Sequence, residues 1–313
     1  MARLAVPLFL YAETPLHPGT GAHLGDVDLP IQRERHTGYP IIQGSSLKGV
    51  FRALAREMTD WAADEVDRTK MVEAIFGPAT DRAHEHAGAV TFTDARILLF
   101  PVRALGSVFA WTTSLDVLAR LRRDLASAAV TALPAVPEVP AVDGVALVPP
   151  GSVLIAGAKA EGTIVLEEFS CSAKTAPEMG ALGAWLGGRF FPDGPAYAFW
   201  RERLAKDLVV LPGDEFREFT RNATEVVTRV RLQEKTKTVV GGALWTEEHV
   251  PSESAFFVLV LVQKPRLDDR PEWTAEWVVA RLRSFDGLRI QVGGDETTGR
   301  GFALVRFGGG TNE

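Results

Sequence analysis

Residues 17–57 read HPGTGAHLGDVDLPIQRERHTGYPIIQGSSLKGVFRALARE, and this stretch changes character three times. A glycine-rich loop comes first, a basic segment second and an amphipathic segment third. Gly19, Gly21 and Gly25 strip side chains from a loop that also carries His17, His23, Asp26 and Asp28. Glycine lets a backbone approach a ligand closely, although a long turn would use it too. The G-x-G-x-x-x-G spacing invites a dinucleotide reading, which needs a strand before the loop and a helix directly after it. LAVPLFLYAE supplies the strand, but VDLPIQRER has no helix start and sets Pro30 in the way, so that reading is rejected.

Farther along, Leu47, Val50, Phe51, Leu54, Ala55 and Met58 recur at helical spacing. That periodicity predicts a helix with one buried face. Ser45 or Ser46 is the expected N-cap, leaving backbone N–H groups free at the helix start. Lys48, Arg52 and Arg56 lie four apart on one flank of the apolar stripe. A helix N-terminus beside a cationic ridge suits phosphate, because donors and dipole both favour negative charge. A solvated basic edge would show the same spacing; Gly44 before the cap and the basic run Arg33, Arg35, His36 tilt the reading toward an anion site.

These residues carry a resemblance. HPGTGAHLGDVDLPIQRERHTGYPIIQGSSLKGVFR resembles the N-terminal signature of the RAMP superfamily, and more narrowly the repeated backbone (Cmr-type) subunit of type III-B CRISPR effector complexes. PIQRE and G-x-SLKG-x-x-R stand at the separation from the His-x-Gly-x-Gly loop that this signature has. The resemblance runs through most of the chain and implies guide RNA binding and cleavage of complementary target RNA. It further implies other copies of the same chain in a helical stack, and other subunits of the type III-B complex, as partners.

Composition bounds the reading. The chain has 313 residues, 46% of them hydrophobic, enough for a substantial core in one large domain or two small ones. No run of eighteen apolar residues occurs, and MARLAVPLFLYAE reads as a strand and loop rather than a signal peptide. The single cysteine, Cys171, excludes an internal disulfide and fits a cytoplasmic setting. A net charge of −6 argues against a simple nucleic-acid binder. Binding follows the local field, however, and basic residues cluster at 33–56 and 221–237.

Taken in order, residues 3–12 read as a central strand and 62–76 as a helix ending at Gly77-Pro78. His84 and His86 have neither periodicity nor ligand spacing, so a surface loop is expected there. Residues 87–106 predict two strand segments turning near Asp94-Ala95, and 114–128 a helix capped by Ser114. The proline-dense segment 134–151 predicts an extended insertion. A strand pair is expected over 153–169, with helices at 181–185 and 196–207.

Residues 221–251 predict a β-hairpin with Val227, Arg229 and Arg231 on one face and Val226, Thr228, Val230 and Leu232 on the other. Such a cationic face fits RNA backbone. A solvent-facing hairpin would also carry charge; the resemblance assigns this one as the thumb that enters a guide–target duplex. SAFFVLVLVQ is a buried strand, WTAEWVVARLRSF a helix with a threonine cap, and GLRIQV and FALVRF flank a loop over residues 293–301. That loop resembles the superfamily's C-terminal glycine-rich signature, with Gly299 and Arg300 expected to face RNA.

The element order β-α-β-β-α-β is that of a ferredoxin-like (RRM-like) palm, so the expected class is α+β: one RAMP domain over 1–313 with large insertions and a hairpin thumb. Fold by itself licenses no function. The resemblance places Asp28 at the catalytic aspartate, as general base or holder of a Mg2+ or Mn2+ ion in the RNA-bound state. His17 is a candidate to orient or donate, with Glu247 and Glu248 as possible helpers. The RNA-binding set is Gly44, Ser45, Ser46, Lys48, Arg52, Arg229, Arg231, Gly299 and Arg300. Two rival readings are a guide-binding filament subunit that cuts nothing and a stand-alone guide-processing endoribonuclease.

Overall fold

The computed structural model describes residues 3–22, 25–130, 135–136, 144–155, 161–267 and 270–308. The chain begins with β1 (Leu4–Ala12), a short β2 (Ile41–Ile42), and helices α1 (Gly44–Glu57) and α2 (Glu65–Phe76). Next come β3 (Val90–Phe92), β4 (Ala95–Arg103), β5 (Phe109–Ser114) and α3 (Leu115–Ser127). The middle holds β6 (Val145–Val148), β7 (Glu161–Leu166), β8 (Phe169–Thr175), α4 (Pro177–Phe190), α5 (Pro195–Asp207) and β9 (Leu208–Leu211). Helix α6 (Gly213–Asn222) leads into β10 (Glu225–Leu232) and β11 (Val239–His249). The chain closes with β12 (Ala255–Val262), α7 (Ala275–Arg283), β13 (Arg289–Gln291) and β14 (Phe302–Phe307). The fold is mixed α+β.

One large sheet runs in the order β13-β14-β1-β12-β4-β5-β9-β6-β8-β7, with β2 added to β4 and β3 to β12. Its centre is antiparallel: β1 pairs with β12 from Leu4↔Val262 to Tyr11↔Ala255, and β14 and β4 flank that pair. Strand β1 is buried from Val6 onward, as its unbroken apolar run requires. Phe9 meets Phe190 and Trp185 of α4 edge-on, and Tyr11 meets Phe191 just beyond that helix. On α1, Phe51 stacks on Phe92 and meets Phe285 and Phe307 edge-on. Deleting such a fully buried ring costs about 3–5 kcal/mol, so these contacts hold α1 and the end of α7 to the strands beside them. The β10–β11 hairpin forms a separate two-stranded sheet.

Several expectations shift. Neither Ser45 nor Ser46 caps α1: Gln43 occupies the cap position without a side-chain bond, and the Gly44 N–H donates to Asp94 Oδ1 at 2.8 Å. The cap is delivered from the β3–β4 turn because Gly44 is buried against that turn. Helix α2 starts at Glu65 rather than 62, where Asp64 accepts the N–H groups of Val66 and Asp67. Ser114 does stand at the N-cap of α3, yet its hydroxyl donates to Asp116 Oδ1 instead of accepting from the helix. The strand pair expected over 153–169 forms later in the chain, as β7 and β8.

The helix expected over 181–185 is the middle of the longer α4. Within the proline-dense segment, residues 137–143 lie outside the described residues, and Val145–Val148 is a strand. The strand expected over 288–292 is the short edge strand β13, and β14 at 302–307 lies between it and β1. Thr274 caps α7 as expected, accepting from the Trp277 N–H.

Candidate functional site

Three segments meet at the foot of the hairpin, the first of them more than two hundred residues before the other two. Leu16 exchanges both backbone bonds with Val250, just past β11. Leu29 runs parallel to Glu247, donating to Thr246 O and accepting from the Glu248 N–H, each at 3.0 Å. The glycine-rich loop closes from a third side, where the Gly294 N–H donates to His17 O at 2.9 Å and the Gly301 N–H to Pro15 O at 2.9 Å. Gly293 makes this approach possible. It has φ +89°, and a Cβ there would fall 2.3 Å from His17 O, which only glycine avoids.

The PIQRE residues hold the loop rather than face solvent. Glu248 is buried and accepts from the Ile31 N–H (3.0 Å), Thr224 Oγ1 (2.8 Å) and the Arg33 guanidinium. Arg33 also donates to Gly38 O and Thr220 O, at 2.7 and 2.8 Å. The expectation that Arg33 contributes to an anion site is therefore corrected: its charge is consumed internally. Gln32 donates to Gly19 O at 3.0 Å and accepts from the Gln43 N–H at 3.1 Å, linking the loop to the start of α1. Glu247 is equally occupied, accepting from Arg229 Nε (2.9 Å) and Trp245 Nε1 (2.7 Å). Both carboxylates are only 6% exposed, so neither offers itself to a ligand at the surface.

Asp28 differs: it is exposed, and the hairpin clamps it. The Thr246 N–H and hydroxyl both donate to Oδ2, at 2.8 and 3.0 Å, while the Asp28 N–H donates back to Thr246 Oγ1. Both of these bonds fall on one oxygen, so Oδ1 is left free of the clamp from Thr246. The backbone bond from Thr246, and then its hydroxyl, hold the Asp28 carboxyl below the usual carboxylate range, keeping it ionised.

His17 is fixed by Nδ1, which lies 2.6 Å from Glu248 O. A carbonyl only accepts, so Nδ1 carries a proton, and Nε2 is the ring nitrogen left free of that bond. The anchors of Asp28 and His17 are two residues apart on β11, about 7 Å along a strand. Behind them His249 is fully buried, with Nε2 at 3.3 Å from Asp295 Oδ2. Burial, with smaller contributions from the Arg300 and His17 charges, lowers its pKa and favours the neutral ring.

The expected cations divide. In the antiparallel register Arg229 shares a face with Trp245, Glu247 and His249, and this face turns inward toward Asp295. Arg300 pairs with Glu225 Oε2 at 3.4 Å, tying the glycine-rich loop to the hairpin. Arg231 is exposed where the register shifts between Val230 and Leu232. The other face carries Thr246 and Glu248 at the foot and is open toward the tip, with Val230 46% and Leu244 63% exposed. Gly299 has φ +80° and open space around it. Ser45 and Ser46 are exposed, whereas Gly44 is buried with its amide on Asp94. Lys48 and Arg52 are half-buried, and burial lowers the pKa of each, with Arg52 adding repulsion at Lys48 and Arg56 at Arg52.

Comparison with known proteins follows from this arrangement. A model of the RAMP superfamily matches residues 9–305, spanning the His17 loop, the hairpin and the glycine-rich loop. The chain belongs to the RAMP superfamily. This RAMP chain is 38% identical over 307 residues to the CRISPR system Cmr endoribonuclease Cmr4 of Pyrococcus furiosus, covering 97% of its own length and 95% of that protein. It is 26% identical to the CRISPR system CMR subunit Cmr4 of Saccharolobus solfataricus, over 96% of each. The crystal structure of oligomeric Cmr4 from Pyrococcus furiosus superposes with a TM-score of 0.70 at 30% identity, over 98% of this chain and 99% of that one. A chain of the type III-B Cmr-beta complex bound to cognate target RNA shares the fold, with a TM-score of 0.71 at 23% identity over 97% of each.

Sequence reasoning missed Thr246 and the latch role of Glu248. The signal for Glu248 was two adjacent carboxylates on a strand opposite Arg229. No comparable pattern marks Thr246.

Proposed function

We propose that this chain is the repeated backbone subunit of a type III-B CRISPR ribonucleoprotein, binding guide RNA and cutting complementary target RNA. The observation that carries the reading is the exposed, ionised Asp28 carboxylate clamped on the hairpin beside His17. The partners are guide RNA, target RNA, further copies of this chain in a stack and the remaining subunits of the complex. The antiparallel order β14-β1-β12-β4, with α1 and α7 in the connections, supports a ferredoxin-like palm, and the β10–β11 hairpin is its thumb. Among the described residues no helix is long and apolar enough to cross a membrane. The cytoplasm is the compartment we assign.

RNA supplies its own nucleophile, the 2′-hydroxyl, so the protein must take a proton, align the attack and offset charge on the phosphorane. A carboxyl held at low pKa is a weak base, which leaves proton transfer to His17 Nε2 and an electrostatic role to Asp28. Asp28 stands outside the three-ligand cluster Glu247, His249 and Asp295, so it offers a divalent ion one carboxylate oxygen. That fits Mg2+ or Mn2+ bound jointly with phosphate oxygens and water. Asp28 would hold the ion, which supplies charge neutralisation at the scissile phosphate. Lys48, Arg52, Ser45 and Ser46 hold the guide backbone; Arg231 and Gly299 approach the duplex from the hairpin and the closing loop. Arg229 and Arg300 would reach RNA only by releasing their acidic partners.

The test is Asp28→Asn assembled with guide RNA and its partner subunits. Target binding is expected to persist while cleavage falls on the order of 100-fold or more. Cutting at unchanged positions and rate sinks the assignment.

A further inference from the structure

Lys48 and Arg52 do not stand alone on α1. They open into a cavity of 540 Å3 at the end of the central sheet, where Arg3, Gln263, Arg266 and His86 also line the wall. Its position follows from the register. Leu4 pairs with Val262, so Arg3 immediately before β1 and Gln263 immediately after β12 emerge side by side. Val90 pairs with Val262 from the other side, bringing the loop that carries His86 to the same rim. Helix α1 then lays Lys48 and Arg52, one turn apart, against the opening.

No carboxylate is among the described residues lining this cavity. Four cations therefore share one space with no counter-charge of the protein's own inside it. Glu73 acts on Arg52 from nearby, but its carboxylate is bound by Arg82. Arg52 also carries a buried Nε with no hydrogen-bond partner. A buried donor left unpaired carries a desolvation penalty, which an anionic acceptor in the cavity would remove. The volume suits a nucleotide-sized anion.

We infer that this cavity is a phosphate pocket for the guide RNA backbone, in which Arg3, Gln263 and Arg266 complete a site begun by Lys48 and Arg52. The inference rests on the guide-binding reading above and adds residues that no motif marked. Arg3 and Arg266 come from the segments flanking β1 and β12 and Arg52 from α1, so three separate parts of the chain contribute cations to one cavity.

The experiment is a salt titration of guide RNA binding by the full chain, comparing wild type, the double variant Arg3→Gln/Arg266→Gln and the single variant Lys48→Gln. Each lost phosphate contact on single-stranded RNA lowers the log–log slope by about 0.7, so the double variant is expected to lose about 1.4 and to bind on the order of tenfold more weakly at 0.15 M salt. Its melting temperature should match wild type, because both residues are exposed. If Lys48→Gln lowers the slope and the double variant does not, this inference fails while the guide-binding reading stands. If neither variant changes it, the guide-binding reading fails with it. Pyrophosphate binding that the double variant abolishes, with no change in the RNA slope, would assign the pocket to a free anion and overturn the RNA assignment.

Discussion

Thr246 sets the charge state of Asp28 through two hydrogen bonds to one oxygen, its N–H and its hydroxyl. Both favour the ionised form, so the carboxyl stays charged further into acid than an unassisted aspartate. Thr246→Val keeps the backbone bond and removes the hydroxyl. The Asp28 pKa then rises toward its ordinary value, and the acid limb of the cleavage pH profile is expected to move to higher pH with the neutral plateau retained. A limb that stays in place would show that this carboxylate does not govern the profile. Glu253 is a different case. It sits at φ +68°, its Oε2 is buried without a partner, and burial pushes its pKa up to about 7. A carboxyl raised in the folded state contributes no penalty below the unfolded value near 4.5, and the full penalty above about 7. Glu253→Gln should therefore stabilise the chain at pH 8 by on the order of 1 kcal/mol, discounted for partial exposure, and do little at pH 4. Equal effects at both pH values, read by thermal unfolding, would rule out the charge as the cause.

At the scale of elements, the glycine-rich loop tests whether close approach or backbone conformation matters more. Gly293 and Gly299 both have positive φ, but a Cβ at Gly293 meets His17 O and one at Gly299 meets nothing. Gly299→Ala is expected to cost about 1–2 kcal/mol from conformation alone. Gly293→Ala should cost more and also reduce cleavage, since the carbonyl it displaces belongs to His17; equal losses in unfolding experiments would contradict this. The elements that could be read in advance, β1, α1, the hairpin and α7, have strong apolar periodicity or a local cap. Those that could not depend on distant partners. Helix α4 looked short because Gly180, Gly183, Gly187 and Gly188 lower helix propensity. Gly183 is used for packing: a Cβ there would lie 2.7 Å from Leu204 O of α5. Asp94 caps α1 from fifty residues away, and Arg229 finds Asp295 from another element, so no local pattern reveals either. Asp28 was marked by family resemblance, but its clamp on Thr246 required the fold.

At the scale of the whole molecule, the question is whether a cutting site belongs to one copy or is shared between stacked copies. Head-to-tail stacking joins two different surfaces, so a neighbour could in principle complete each site. In this chain Asp28 and His17 are both anchored on β11, one on Thr246 and the other on Glu248, and the closing loop is bonded to His17 within the same molecule. The acid and the histidine are therefore expected to act in cis. A complex assembled from a mixture of Asp28→Asn and His17→Ala chains distinguishes the cases. If each site is built within one copy, every site lacks one group and the mixture cuts no better than either variant by itself. If Asp28 of one copy works with His17 of the next, random assembly from equal amounts leaves about a quarter of the junctions intact, and cutting returns to roughly that fraction of wild type. Mixing wild type with Asp28→Asn provides the reference: each cut along the target should fall to about half, at unchanged spacing, because the stack still forms and only the chemistry of individual copies is lost.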